Sequence, residues 1–126
     1  MNERPAARIE ELEDRLGDSD VAVIDVRTEE EYAGAAGYPC DPRQGHIPGA
    51  RNIAHSILLA LSPEEVREVV GLPEGSRVIA YCHSGFRSAL AAAALGAAGY
   101  DALNYEGSWH EWSRRDDLPV ERGVAG

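Results

Sequence analysis

Cys82 is where chemistry is most readable in this chain of 126 residues. It ends the apolar run SRVIAYC and is followed by HSGFRS, which opens an alanine-rich helix over residues 86–98. A cysteine attacks as its thiolate, so an ordinary pKa of about 8.5 has to be drawn down. Two devices for that are written here. The loop 83–87 can turn successive backbone N–H groups inward as an anion-binding nest. The helix that follows adds its positive end. Gly85 is the residue able to take a positive φ and let the ring of amides close. Ser84 and Ser88 offer hydroxyl donors, and Arg87 either contributes a fixed charge or braces the loop from outside. On these residues alone the target is open between sulfur, phosphorus and a carbonyl carbon. An inert buried cysteine, acting as a small hydrophobe, is open as well.

The elements that must position this thiol follow from hydrophobic pattern. VAVIDV (21–26) is a short, β-branched, continuous run, the mark of a strand buried on both faces of a parallel sheet. SRVIAYC is a second such strand, ARNI (50–53) a brief third and ALNY (102–105) a last one. Ile9, Leu12 and Leu16 recur at helical spacing, which predicts a helix over residues 6–16 with Gly17 as its C-cap. Thr28 stands as N-cap to EEEY. Ser62, Pro63 and Glu65 sign the start of a helix in SPEEVREVVGL by a capping box with proline in the first turn. Residues 34–49, rich in Gly and Pro, read as a long loop, and loops of that length in compact domains are often functional.

Strands alternating with helices predict an α/β fold with a parallel sheet, whose ligand site lies at the carboxyl ends of the strands. Asp25, Arg27 and Cys82 all fall at such ends. The length suits one domain over residues 1–126. A net charge of −10 argues against nucleic acid as a partner. No apolar run approaches the roughly 18 residues of a membrane span. The charged N-terminus lacks a signal-peptide core, so a cytoplasmic location is expected. Lysine is absent, which removes Schiff-base chemistry and a P-loop lysine. Two cysteines make no disulfide scaffold. The four histidines show no zinc-like spacing with them, so no metal is expected.

CHSGFRS resembles the active-site loop of the rhodanese (sulfurtransferase) family in its single-domain form. VIDVR is similar to the family's first-strand signature, GHIPGARNI to its central motif, and YEGSWHEW to the segment after the last strand. LPVERG matches how several members end. These matches run in order from about residue 21 to 123. The resemblance implies a three-layer rhodanese-like fold, a mainly parallel five-stranded sheet flanked by helices. It implies Cys82 as the sulfur carrier, with a donor such as thiosulfate, a thiophilic acceptor such as cyanide or a thiol, and no cofactor. A sulfur-carrier protein is a further candidate partner, and the expected state is a monomer or weak dimer.

Cysteine phosphatases, one branch of which shares this fold, present Cys-x5-Arg around a phosphoryl group. Cys82 and Arg87 are separated by four residues, a tighter ring that suits a single sulfur atom. A catalytically silent binding module is the alternative from another class. Within the resemblance, Asp25 and Arg27 are expected to be structural, with Asp25 holding loop amides and Arg27 paired to a carboxylate. His46 is expected to stabilise a turn, His83 to rim the pocket and Trp109 to pack as core. Cys40, in the loop before GHIPG, is a candidate second redox thiol. Two-domain members often carry a basic residue at the position of Glu31. A carboxylate at the pocket mouth would repel thiosulfate.

Overall fold

The computed structural model describes residues 6–15 and 20–123. Its elements run β1 (Ala6–Ala7), α1 (Ile9–Arg15), β2 (Val21–Asp25), α2 (Glu29–Ala33), β3 (Arg51–Asn52), α3 (His55–Ala60), α4 (Pro63–Val70), β4 (Arg77–Tyr81), α5 (Phe86–Ala97), β5 (Asp101–Tyr105) and α6 (Ser108–Trp112). The strands form one five-stranded sheet in the order β1-β5-β4-β2-β3, and every pairing is parallel. Helices cover both faces, the three-layer α/β arrangement that the family resemblance implies.

Strand alternation sorts the core into two halves. Val23, Ile79, Tyr81 and Tyr105 pack on one face with Ile9 and Leu12 of α1, Tyr32 of α2, and Trp109 and Trp112 of α6. Ile24, Val26, Val78 and Ala80 face the other way, onto Leu58, Val66, Val70, Ala91 and Leu95 of α3, α4 and α5. Cys82 continues the second series one step beyond β4, so the period of two aims its sulfur toward α5.

The capping box at Ser62 and the N-cap at Thr28 form as read, and Thr28 proves to be a full capping box with Glu31. Thr28 Oγ1 accepts from the Glu31 amide, and Ser62 Oγ accepts from the Glu65 amide. Two elements differ from expectation. Residues 6–7 are a strand rather than the first turn of the helix, because their backbone pairs with Asn104 and Tyr105 at the sheet edge. Tertiary pairing there outweighs the helix propensity of two alanines. The helix His55–Ala60 carries no side-chain cap on Ala54 and so left no start signal. Leu16 and Gly17, the predicted helix end, lie outside the described residues.

The long loop after α2 is tied down by one residue. The Arg43 guanidinium donates to the carbonyls of Trp112, Ser113, Arg115 and Leu118 at 2.6–3.3 Å. Trp109 Nε1 returns a bond to the Arg43 carbonyl at 2.9 Å. The loop is thereby held across the C-terminal end of α6, whose last carbonyls lack helical partners.

Candidate active site

Cys82 is 1% exposed. The Gly85 amide donates to its Sγ at 3.1 Å and the Ser88 hydroxyl at 3.3 Å. Burial on its own would raise the thiol's pKa. Hydrogen bonds from the Ser88 hydroxyl and from the Ser88, Ser84 and Gly85 amides outweigh it and hold the pKa below the ordinary value. Charge-assisted bonds of this kind favour the thiolate. Donors from Ser84, Gly85 and Ser88 thus converge on Sγ where α5 begins.

Gly85 adopts φ 92°, and a Cβ there would meet the Glu106 carbonyl oxygen at 2.7 Å. A side chain is therefore excluded twice, by conformation and by space. Asn104 Nδ2 donates to the Gly85 carbonyl at 3.2 Å, so β5 and the segment after it cradle the turn. Phe86 points outward, 77% exposed. It lines a groove between α5 and β5 with Leu90 and Tyr100, and Cys82 does not line that groove.

Ser108 completes the surroundings of Cys82 and was not singled out by sequence. Its hydroxyl accepts from the Cys82 amide at 3.0 Å, donates to the Tyr105 carbonyl at 2.8 Å and lies 4.0 Å from Sγ. It is the one non-glycine residue with positive φ (53°) among those described. Strain of this sort concentrates where a backbone must serve a site. The next two amides, of Trp109 and His110, donate to the Cys82 and His83 carbonyls at 2.9 Å. The Gly-Ser pair before WHEW was the available signal.

Arg87 does not reach the sulfur. Its two terminal nitrogens pair with both Glu31 carboxylate oxygens at 2.9 and 3.1 Å, bracing α5 against α2. Of the two roles open to it, the outer brace is the one formed. Glu31 is 8% exposed and also accepts from the Thr28 amide at 3.1 Å. Burial raises its pKa, but the bonds from Arg87 and Thr28 prevail and bring it down to about 2. The Glu31 carboxylate, expected at the pocket mouth, thus has its charge matched by Arg87.

Asp25 and Arg27 are both buried, as a strand-end pair. Arg27 Nη2 sits 2.7 Å from Asp25 Oδ2, and Nε lies 3.0 and 3.2 Å from the two oxygens. Asp25 is thus the carboxylate that Arg27 pairs with, and among the described residues the one amide it accepts from is that of Arg27, at 2.9 Å. Arg27 also donates to the Gly45 carbonyl and lies 4.9 Å from the Trp109 ring centroid. Tyr81 links Asp25 to the GHIPG loop, donating to Oδ2 at 2.8 Å and accepting from the Ile47 amide at 3.0 Å. These groups hold the loop and the two strand ends at one height.

His46 stacks on Tyr32 at 3.7 Å, and its Nδ1 lies 2.7 Å from the Tyr32 carbonyl, a turn-holding position. Trp109 is fully buried as core. His83 meets the long loop, stacked on Tyr38 at 3.7 Å with its Nε2 3.0 Å from Asp41 Oδ2. Cys40 is an exposed free thiol beside Asp41.

A family profile described as Rhodanese-like domain matches residues 8–115. The chain belongs to the rhodanese-like domain family. A thiosulfate sulfurtransferase of Pseudomonas aeruginosa is 35% identical over 96% of this chain and 47% of its own length. The sulfur carrier protein TtuD of Thermus thermophilus is 34% identical over 81% of this chain and 41% of its own. The structure of a cysteine-substituted EanB with hercynine superposes with a TM-score of 0.84 at 26% identity, covering 95% of this chain and 32% of that one. The rhodanese-like chain described here thus spans less than half the length of these relatives. Among its described residues no helix is long and apolar enough to cross a membrane.

Proposed function

We propose that this domain is a sulfurtransferase that carries sulfane sulfur as a persulfide on Cys82. The reading is carried by the donors that converge on Sγ, the Gly85 amide and the Ser88 hydroxyl. The Cys82 thiolate attacks the outer sulfur of thiosulfate; the new S–S bond forms as the old one breaks, and sulfite leaves with the bonding pair. The terminal persulfide sulfur then carries the negative charge and sits against the same ring of donors. An acceptor (cyanide or a thiol) attacks that sulfur, and Cys82 returns as thiolate. Charge at the loop is conserved through both steps, so one fixed set of amides serves both.

Relatives named thiosulfate sulfurtransferase and sulfur carrier protein support this class of reaction. So does an EanB structure, 25% identical, in which ergothioneine is covalently linked with a cysteine persulfide. The engagement of Arg87 by Glu31 weighs against phosphoryl transfer, in which the loop arginine has to face the anion. Small sulfur donors and a thiol acceptor, free or on a sulfur-carrier protein, are the partners this chemistry needs. The reducing cytoplasm, where Cys82 stays a thiol, is the compartment we propose. Steady-state kinetics with thiosulfate and cyanide test the reading. Thiocyanate formation with parallel double-reciprocal lines is expected. Hydrolysis of an aryl phosphate, or no turnover of either substrate, would contradict it.

A further inference from the structure

Beside the Cys82 loop, three separate segments bring together Cys40, Asp41, His83 and His110, each offering one ligand atom within 4.8 Å of all the others. Cys40 and Asp41 come from the long loop, His83 from the turn after β4 and His110 from α6. We propose that these four side chains form a binding site for a tetrahedral, borderline-soft divalent cation, with Zn²⁺ the best fit.

The donor set is one thiolate, two imidazoles and one carboxylate. Thiolate with imidazole selects zinc over magnesium or calcium, and four ligands of this kind favour tetrahedral geometry. Around a zinc ion such ligand atoms sit roughly 3.3–3.8 Å from one another, given bonds of about 2.0–2.3 Å. The cluster is slightly looser than that. Its exposed members, Cys40 and His110, are the ones free to close in.

A second observation points to a shared ligand. Asp41 has a side chain 1% exposed, and its Oδ2 stands 3.0 Å from His83 Nε2. Both atoms are buried, yet the pair lacks hydrogen-bond alignment, and among the described residues neither atom has another hydrogen-bond partner. Buried polar atoms left in this way are costly unless something answers them. A cation between them would satisfy both.

The surroundings hold the fixed half of the site in place. Arg114 Nη1 takes Asp41 Oδ1 at 3.0 Å, leaving Oδ2 to act as a single-oxygen ligand. Tyr38 stacks on His83 at 3.7 Å, and His110 meets its edge at 5.4 Å. Such supports orient ligands as outer-sphere partners do in zinc sites. Arg114 also works against the ion, because its Nη1 lies 3.2 Å from His110 Nδ1. The same Nδ1 stands 3.5 Å from Asp41 Oδ1, so an incoming ion competes with Arg114 for that side of the ring. Binding displaces the Cys40 proton to solvent, so affinity rises with pH. Because His83 directly follows Cys82, an occupied site ties the long loop and α6 to the turn that holds the sulfur.

The test is titration with Co²⁺, a spectroscopic stand-in for zinc, on the Cys82→Ser protein, which removes the competing thiolate. One equivalent should bind, with tetrahedral d–d bands and a sulfur-to-cobalt charge-transfer band, and Zn²⁺ should displace it. Adding Cys40→Ser should abolish the charge-transfer band, and adding His110→Ala should weaken binding at least about ten-fold. In the otherwise wild-type chain, Cys40→Ser alone should remove the same band, which keeps the test valid should Cys82→Ser fold poorly. A band that survives Cys40→Ser, or its absence from folded protein with Cys40 intact, would overturn the proposal. Neither result depends on turnover, so failure here leaves the sulfurtransferase reading standing.

Discussion

Cys82 is buried at a strand end and accepts bonds from the Gly85 amide and the Ser88 hydroxyl, whereas Cys40 is exposed in a loop and its sulfur donates to Asp41 at 3.9 Å. The first thiol receives hydrogen bonds and the second gives one. Donors aimed at a sulfur stabilise its anion, so the backbone around Cys82 favours a nucleophile. Around Cys40 stand a carboxylate and two imidazoles, with Arg114 already paired to one oxygen of that carboxylate, and among the described residues no donor meets the Cys40 sulfur. Two identical side chains on neighbouring segments are thus prepared for different chemistry by what points at them.

The sharpest break of that contrast is substitution of each thiol in turn. Cys82→Ser should cut thiosulfate:cyanide turnover by at least about a thousand-fold, since the covalent step is lost. Cys40→Ser should leave kcat/KM within about two-fold, the scale of an exposed change of under ~0.5 kcal/mol. A large loss with Cys40→Ser would instead support the expected role of Cys40 as a second redox thiol. Gly85→Ala comes next. The forced φ of 92° and the approach to the Glu106 carbonyl should cost about 1–3 kcal/mol of stability and lower turnover roughly ten-fold or more by opening the ring. Thermal melts and kinetics on one preparation separate the two effects.

These effects rest on features that sequence showed unevenly. Strands β2 and β4 and the caps at Thr28 and Ser62 were readable because each is a local pattern, a β-branched run or a hydroxyl three residues before glutamate. The Cys82 loop was readable for the same reason: its donors lie within six residues of the sulfur. What escaped was non-local. Ser108 reaches Cys82 across 26 positions, and Arg87 meets Glu31 across 56. Residues 6–7 become strand only because β5 lies beside them. The His83–Asp41 pairing needs the long loop to fold back, which Arg43 secures through four carbonyls that no spacing rule would connect.

Smaller effects sharpen the account of the Cys82 side. Ser88→Ala removes one of the donors holding the thiolate. Its alkylation profile with iodoacetamide should move to higher pH, and turnover at neutral pH should fall about ten-fold, the scale of one bond to a charged group. An unmoved profile would assign the lowered pKa to the amides alone. Glu31→Gln releases Arg87, five residues after Cys82, from its carboxylate partner and should lower KM for thiosulfate by about two- to five-fold through the freed positive charge. The same change should cost about 1 kcal/mol of stability, as expected of a partly exposed ion pair. The Glu31 pKa falls on folding to about 2. Its contribution is therefore complete above the unfolded value near ~4.3 and disappears as pH drops toward 2. The wild-type and Glu31→Gln stabilities should accordingly converge in acid, which urea titrations at pH 6 and pH 2.5 will check.

The most direct measurement is peptide-resolved mass spectrometry of the protein after exposure to thiosulfate. The account predicts one added sulfur atom on Cys82 and none on Cys40, with the gain removed by cyanide and absent from Cys82→Ser. A Cys82 that stays unmodified with thiosulfate and with small persulfide donors, or sulfur that accumulates on Cys40 instead, would contradict it.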